Sequence, residues 1–270
     1  MIFASDLDRT LIHPYRTLPE ARFPEAPVAE VYEGRPITVC SLETLSLLDE
    51  LAALDAFVAV TTRSLHQLQR VEPLWERARR SWAICANGAT LLAHGEVDRE
   101  WKTVVDELCG GCASAAEAEA AVYAAFGPAG PEGWLLRVRD CDERFLYAIC
   151  ELARLPEGLA AAASEAMRPL GWQAVLHGRK LYLLPAGLTK LRCVEYLAER
   201  VGATVVAAAG DSLLDAELLA AADLAWCPRD SELVAWNAVP EGVRVTEGEH
   251  IDAAEEIARE ALEYLSVVHT

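Results

Sequence analysis

The chain alternates short apolar runs with longer stretches of helical periodicity, and this order restricts the fold more than any other feature. Near the start, "MIFAS" and "AFVAVTT" are typical of buried strands, and "SLETLSLLDELAAL" between them has the apolar spacing of a helix. Such alternation predicts a parallel sheet with helices on its faces. The pattern resumes after residue 190, where "TVVAAAGDS" precedes another helix and strand. We therefore expect an α/β fold with a doubly wound parallel sheet.

The middle of the chain differs in character from its two ends. Between residues 88 and 182, alanine-rich helical runs alternate with strand-like "GWLLRVRD" and "KLYLLPA". Such a change inside an α/β pattern indicates a second folding unit. We predict a core formed by residues 1–87 and 183–270 and an inserted α+β domain at 88–182. A Pro/Gly cluster, "FGPAGPEGW", is expected to separate two elements of that domain.

The composition argues against several classes of protein. A formal net charge of −18 repels nucleic acid and anionic membranes. The chain has neither an uncharged apolar run of about 18 residues nor a secretory signal pattern, so we expect a soluble cytoplasmic protein. The cysteines mostly lie in apolar runs and are expected to stay thiols. Zinc binding by the Cys109–Cys112 pair is disfavoured, because eight residues separate the next two cysteines.

Two of the predicted strands end in pairs of acidic residues. Asp6 and Asp8 follow "MIFAS", and Asp211 and Asp215 follow "TVVAAAG". Each pair alone also suits a polar turn or a helix start. The carboxyl ends of parallel strands, however, meet at one sheet edge, where such folds bind ligands. Clustered carboxylates repel unless a proton or cation lies between them, and oxygen ligands of this kind suit Mg²⁺. The sequence therefore predicts a magnesium site at this edge.

Four short motifs, in order, resemble those of the haloacid dehalogenase-like (HAD) hydrolases. The motifs are "DLDRT", "VAVTTRS", "LPAGLTK" and "GDSLLD". "ICANGA" resembles a turn found in C2-capped relatives, which include Cof-type and sucrose-phosphate phosphatases. The resemblance implies a Rossmann-like catalytic core, with residues 88–182 as a C2-type cap. "FASDLDRTLI" is also similar to HAD proteins encoded near tellurite-resistance genes.

The resemblance implies a Mg²⁺-dependent phosphatase that acts through an aspartyl-phosphate intermediate. Asp6 would be the nucleophile that takes the phosphoryl group, which splits one difficult displacement into two. Asp8 would protonate the leaving oxygen and then activate water. Thr61 and Lys190 would hold the phosphate oxygens, the lysine as a point charge.

The same resemblance implies the metal ligands and the substrate contacts. Mg²⁺ would be held by the Asp6 carboxylate, the Asp8 backbone carbonyl and Asp211. Asp215 would support a metal-bound water or Lys190. The side chains expected to contact substrate are Thr62, Arg63, Asn87, His177 and Arg179. The alternative for Arg63 is a structural contact at the start of a helix. The alternative for His177 and Arg179 is a position on a solvated face.

The expected substrate is a small phosphorylated metabolite, with sugar phosphates foremost because capped relatives commonly use them. The alternatives are a phosphomutase and a non-catalytic HAD-fold binding or scaffold protein of a stress system. Retention of both Asp6 and Asp8 favours an enzyme, since a degenerate site more often loses one of them. The substrate would be chosen by the cap and by a predicted hairpin around Glu33–Gly34, and neither carries a readable motif.

Overall fold

A computed structural model of the protein describes residues 1–126 and 133–269, which form two compact units. The first unit comprises residues 1–99 and the chain from 190 onwards, and the second comprises residues 100–189. Most of the predicted Pro/Gly separator, residues 127–132, lies outside the described part. In that part, no helix combines the length and the apolar character that a membrane crossing requires.

The helices and strands follow one another along the chain with short connections. The strands are β1 (Ile2–Ser5), β2 (His13–Pro14), β3 (Val28–Tyr32), β4 (Arg35–Val39), β5 (Phe57–Val60), β6 (Trp82–Cys85), β7 (Thr90–Ala93), β8 (Glu96–Val97), β9 (Leu135–Cys141), β10 (Phe145–Cys150), β11 (Trp172–His177), β12 (Lys180–Pro185), β13 (Val206–Ala209), β14 (Leu224–Cys227) and β15 (Arg244–Val245). The α-helices are α1 (Leu42–Ala53), α2 (Leu65–Gln69), α3 (Glu72–Ala78), α4 (Arg99–Cys109), α5 (Ala115–Phe126), α6 (Leu159–Met167), α7 (Lys190–Val201), α8 (Ala216–Ala221), α9 (Glu232–Ala235) and α10 (Ile251–His269). Short 3₁₀ turns lie at Tyr15–Thr17, Glu20–Arg22, Ala86–Gly88, Leu152–Arg154 and Arg168–Leu170.

The main sheet of the first unit has eight strands in the order β15-β14-β13-β1-β5-β6-β7-β8. Neighbours from β15 to β6 are parallel, and β7 and β8 add in antiparallel fashion. In the centre, Ser5 of β1 lies opposite Ala209 of β13, and the preceding Ala4 lies opposite Val58 of β5. Because β13 and β5 come from opposite ends of the chain, a crevice opens beyond the carboxyl end of β1. The predicted Rossmann-like parallel sheet is confirmed.

Helices of the first unit form two groups that each bury an apolar face. One group, α1, α3 and α10, packs side chains such as Leu48, Leu74 and Ile257 into a core with Phe3 and Trp226 of the sheet. Full burial of each large apolar side chain contributes roughly 1.5–3 kcal/mol to stability. In the other group α7 packs against α8. This core fixes the strand ends that carry the polar residues described below.

The segment "LHQLQRVEPLWERARR", which has the periodicity of one helix, forms two. Helix α2 ends at Gln69 and α3 begins at Glu72, with Pro73 in the first turn of α3. Proline lacks an N–H group and is tolerated at the start of a helix but not in its interior. The break leaves Val71 extended enough to form an antiparallel bridge with Glu30 of β3.

The predicted hairpin around Glu33–Gly34 is confirmed. Strands β3 and β4 pair in antiparallel fashion, and β2 extends them into a three-stranded sheet. Glu33 and Gly34 have φ angles of 49° and 74°. Two successive positive φ values are required by a tight type I′ turn, which explains the glycine at the second position.

The second unit contains a four-stranded antiparallel sheet in the order β11-β12-β10-β9, with α6 packed on β11 and α5 on β10. We predict the inserted domain at residues 88–182, whereas the compact unit occupies 100–189. The first boundary differs because β7 pairs with β6, and β8 with β7, which adds residues 90–97 to the core sheet. The second differs because β12, which runs to Pro185, pairs with β10 and β11 of the second unit. The role of this unit as a cap stays a prediction.

The cysteine pair of the second unit sits at the wrong end of a helix for thiolate chemistry. Cys109 is the last residue of α4, where the helix dipole disfavours a negative charge. Burial and the neighbouring Cys112 raise the pKa of the Cys109 thiol. The Sγ of Cys112 donates a hydrogen bond to the carbonyl of Gly171 at 3.2 Å. All eight cysteines are free thiols.

Candidate active site

Asp6 is the first residue after β1 and lies at the crevice beyond the central strand. Its amide N–H donates to the carbonyl of Ala209 at 2.8 Å, which carries the pairing of β1 with β13 one residue further. The residue is 5% exposed. Its Oδ1 accepts a hydrogen bond from Nζ of Lys190 at 2.6 Å. The sheet therefore fixes the backbone of Asp6, and a cation fixes its carboxylate.

Lys190 is the first residue of α7 and is buried to 1% exposure. Its ammonium group bridges Oδ1 of Asp6 at 2.6 Å and Oδ1 of Asp215 at 2.5 Å. Burial alone would lower the pKa of the lysine, but the charges of Asp215 and Asp6 outweigh it and raise that pKa above its ordinary value. Lys190 is therefore positively charged at neutral pH.

Asp215 is held on both of its oxygens. Oδ2 accepts from the hydroxyl of Ser212 at 2.7 Å and from the amides of Ser212 and Asp211 at 3.0 and 3.3 Å. The side chain folds back over Gly210, where an added Cβ would lie 2.4 Å from the Cβ of Asp215. Only glycine fits this close approach. The glycine and the last aspartate of "GDSLLD" are thus explained by the side chain of Asp215, which packs on Gly210 and accepts hydrogen bonds from the two residues after that glycine.

Three buried carboxylates form the one group among the described residues that could hold a metal ion. Asp6, Asp211 and Asp215 each present an oxygen, and these oxygens lie within 4.8 Å of one another. Burial raises the pKa of Asp6. The charges of Asp215 and Asp8 raise that pKa further, and the charge of Lys190 lowers it. A second cation would remove the remaining repulsion. Oxygen donors of this kind fit a hard divalent cation such as Mg²⁺.

The carboxylate of Asp8 lies outside this group and pairs with Arg63. Nε of Arg63 donates to Oδ2 at 2.7 Å, and Nη2 donates to Oδ1 at 2.8 Å, which makes the pair bidentate. Burial lowers the pKa of the guanidinium, but the charges and hydrogen bonds of Asp8 and Glu30 outweigh burial, so the pKa is raised overall. Direct contact of Arg63 with substrate stays a prediction.

Glu30 is a functional candidate that the sequence analysis missed. It lies on β3, is 2% exposed, and accepts from Nη2 of Arg63 at 2.9 Å and from Nε of Arg70 at 3.0 Å. The signal that could have found it is an acidic residue inside the otherwise apolar run "VAEVY", because a buried carboxylate needs a cationic partner.

Thr61 and Asn87 are linked through the backbone at the ends of β5 and β6. The amide of Asn87 donates to the carbonyl of Thr61 at 3.0 Å, and Oγ1 of Thr61 accepts from the amide of Arg63 at 3.1 Å. Asn87 has a φ of 55°, a left-handed conformation that asparagine tolerates. Thr62, between Thr61 and Arg63, is partly buried.

The structure gathers the predicted site residues into three sets. The first set is the buried cluster of Asp6, Lys190, Asp211 and Asp215; the second is Asp8 with Arg63; the third is Thr61, Thr62 and Asn87. His177 at the end of β11 and Arg179 in the following turn belong to the second unit. Their role as substrate contacts stays a prediction.

Comparisons with known proteins agree on the fold. No protein family and no curated protein matches at the level of sequence. The structure is similar to the sucrose-phosphatase of Synechocystis sp. PCC6803, solved in complex with sucrose and phosphate, with a TM-score of 0.68 and 15% identity over 97% of this chain and 98% of that one. It is also similar to a HAD subclass IIB sugar phosphatase, with a TM-score of 0.58 and 14% identity over 98% and 99% of the two chains. A HAD-superfamily phosphatase from Bacteroides thetaiotaomicron gives a TM-score of 0.56 and 18% identity over 98% and 95%. The chain therefore has, over nearly its whole length, the fold of the HAD-superfamily phosphatases.

Proposed function

We propose that this chain is a Mg²⁺-dependent phosphatase that hydrolyses a small phosphorylated metabolite, with phosphorylated sugars as the substrate class. The observation that carries the proposal is the Asp6 carboxylate at the end of the central strand, bonded to the buried Lys190 and beside Asp211 and Asp215. A nucleophile, a fixed positive charge and a divalent-metal donor set converge there. The similar structures of a sucrose-phosphatase and a sugar phosphatase support the sugar assignment.

The proposed reaction has two displacements at phosphorus. In the first, a carboxylate oxygen of Asp6 bonds to phosphorus, the bond from phosphorus to the leaving oxygen breaks, and Asp8 gives that oxygen a proton. In the second, water attacks the phosphoryl group on Asp6 and loses a proton to Asp8. The bond from phosphorus to Asp6 then breaks, which releases phosphate and restores both carboxyl groups. Acid–base assistance of this kind contributes about 10²–10⁴-fold to the rate.

The surrounding residues would stabilise the charge of the transferring group. Lys190 supplies a buried positive charge beside the nucleophile. The hydroxyl of Thr61 already accepts from the amide of Arg63, so its own proton is available to a phosphate oxygen. Since both oxygens of Asp215 accept hydrogen bonds, the expected direct ligands of Mg²⁺ are Asp6, Asp211 and the Asp8 carbonyl. A bound Mg²⁺ would neutralise charge on the phosphate oxygens.

The second unit is proposed to act as a cap that selects the substrate, with His177 and Arg179 as contacts. His177→Ala and Arg179→Ala are then expected to raise KM for the preferred sugar phosphate several-fold and to leave kcat within about twofold. The matched control is Arg168→Ala, because Arg168 makes an exposed ion pair with Glu165 in the same unit. Equal changes in KM for all three variants would show that His177 and Arg179 do not contact the substrate.

The proposal is tested by release of phosphate from a panel of phosphorylated sugars, polyols and nucleotides, with Mg²⁺ and with EDTA. Hydrolysis that needs Mg²⁺ supports a phosphatase. Transfer of the phosphoryl group between positions of a sugar, without net release, would identify a phosphomutase. Binding of a phosphorylated ligand without either reaction would replace the enzyme by a binding protein.

A further inference from the structure

We propose that Glu30 is a positioning residue, which holds the guanidinium of Arg63 so that Arg63 sets the orientation of the acid Asp8. The inference rests on the proposed phosphatase activity and extends it to the hairpin strand β3. It follows from a continuous chain of hydrogen bonds among four charged side chains, Asp8, Arg63, Glu30 and Arg70.

The link between the two carboxylates passes through a single nitrogen. Nη2 of Arg63 donates to Oδ1 of Asp8 at 2.8 Å and to Oε2 of Glu30 at 2.9 Å. Nη1 donates to the carbonyl of Gln67 at 3.3 Å, and Nε completes the bidentate contact with Asp8. The guanidinium is planar and its donors have a fixed geometry. Because Glu30 holds the guanidinium plane on one side, it also determines where the Nε and Nη2 donors hold the carboxylate of Asp8.

Glu30 is the better-fixed of the two carboxylates. It is 2% exposed at the side chain, whereas the side chain of Asp8 is 40% exposed. The second oxygen of Glu30 accepts from Arg70, and the backbone of Glu30 bridges Val71 at the break between α2 and α3. Asp8 is the end of this chain of hydrogen bonds that reaches solvent. Glu30 serves as the anchor and Asp8 as the reacting end.

The importance of the anchor follows from what general acid catalysis demands. The carboxyl group must lie within hydrogen-bond distance of the leaving oxygen, and small displacements of a catalytic group are costly. An arginine side chain has several rotatable bonds, and fixing them costs conformational entropy. Without Glu30, Arg63 would lose one of its charged partners and Asp8 would be held less well.

The test compares two esters that differ in their need for a proton. An alkyl phosphate, the best of the panel, releases an alcohol and depends on the acid, whereas p-nitrophenyl phosphate releases a stabilised anion without one. Glu30→Gln is expected to lower kcat/KM for the alkyl phosphate about tenfold or more and to change kcat/KM for p-nitrophenyl phosphate less than about twofold. The comparison uses kcat/KM because it reports the first displacement alone and excludes the later attack of water, in which Asp8 serves both esters. The quantity to compare is the ratio of kcat/KM for the alkyl phosphate to kcat/KM for p-nitrophenyl phosphate. A loss of folded protein lowers both values by the same factor and leaves this ratio unchanged.

A matched control and a double variant separate positioning from packing. Asp98→Asn removes another buried acid that pairs with an arginine, Arg200 at 2.9 Å, and is expected to leave the ratio unchanged. Arg63→Lys, which cannot make the bidentate contact, should lower the ratio as Glu30→Gln does. Adding Glu30→Gln to Arg63→Lys should then lower the ratio no further, because both act through one guanidinium.

Three results would overturn the inference. Equal losses with both esters would show a structural anchor only, and independent effects in the double variant would show that Glu30 does not act through Arg63. If Glu30→Gln does not fold, Glu30→Asp, which keeps the charge but shortens its reach, must lower the ratio instead, and an unchanged ratio would count against the inference. A wild-type protein that hydrolyses neither ester overturns the proposed function itself, whereas an active wild type with these results overturns only the role of Glu30.

Discussion

The ammonium nitrogen of Lys190 lies 2.6 Å from Oδ1 of Asp6, although 184 residues separate the two along the chain. The same nitrogen lies 2.5 Å from Oδ1 of Asp215. One buried cation therefore connects the start of α7, the end of β1 and the loop after β13. Because all three groups are buried, each charge depends on the others for its stability.

Replacement of Lys190 by methionine leaves two buried carboxylates without their cation. Lys190→Met is expected to lower the free energy of unfolding by about 3–5 kcal/mol in EDTA. Mg²⁺ should restore part of this loss, since Asp6, one of these two carboxylates, is a proposed ligand of the ion. Urea unfolding with EDTA and with Mg²⁺ measures both effects. Lys102→Met, at an exposed pair with Asp106, is the control and should change stability by less than about 1 kcal/mol. Similar losses in the two variants would contradict the account.

Removal of one charge from the metal-binding cluster should weaken the affinity for Mg²⁺. Asp211→Asn keeps the shape of the side chain but replaces an anionic oxygen donor by a neutral one, and we expect Kd to rise at least about tenfold. Titration calorimetry with Mg²⁺ measures this. Asp49→Asn, at an exposed ion pair with Arg77, should bind Mg²⁺ as the wild type does. An unchanged Kd in Asp211→Asn would place the metal elsewhere.

A methyl group at position 210 would collide with Asp215. The added Cβ would lie 2.4 Å from the Cβ of Asp215, so Gly210→Ala must displace the side chain that Lys190 contacts. We expect a loss of about 1–3 kcal/mol in stability and a large loss of kcat. Gly111→Ala is the control, because nothing lies within 4 Å of its Cβ. Retention of full activity by Gly210→Ala would show that Asp215 is not needed in its observed position.

His13 should make the protein sensitive to mild acid. Burial lowers its pKa from 6.5 to about 4, with Asp230 opposing the shift and His250 adding to it. As the pH falls below 6.5, the unfolded chain takes up the proton first, so stability is lost progressively down to the folded pKa. Between about pH 7.5 and about pH 5, this group should cost the wild type about 2 kcal/mol. Urea unfolding of His13→Gln should show a correspondingly smaller loss, whereas the exposed His66→Gln should follow the wild type. Parallel pH profiles for wild type and His13→Gln would refute the assignment.

Local patterns were sufficient to predict the parallel sheet and the meeting of Asp6, Asp211 and Asp215, because strand ends and short motifs carry that information. They were insufficient for Arg63, whose partners Asp8 and Glu30 lie 55 and 33 residues away. Helical periodicity extends across Val71, although α2 ends at Gln69 and a new helix begins at Glu72 with Pro73 in its first turn. The addition of β7 and β8 to the main sheet was missed because a composition change near residue 88 does not say which sheet a strand joins. The catalytic and metal-binding roles of the site residues stay predictions.

The most direct test of the account is chemical identification of residue 6 after turnover. Borohydride reduces an aspartyl-phosphate to homoserine, so mass spectrometry of a turnover mixture quenched with borohydride should find homoserine at position 6. Asp6→Asn, which keeps the shape of the side chain but loses the attacking anion, should show neither this product nor phosphatase activity above background. Homoserine at position 6 together with an inactive Asp6→Asn is the predicted result. Phosphatase activity of wild-type magnitude in purified Asp6→Asn would contradict the central claim.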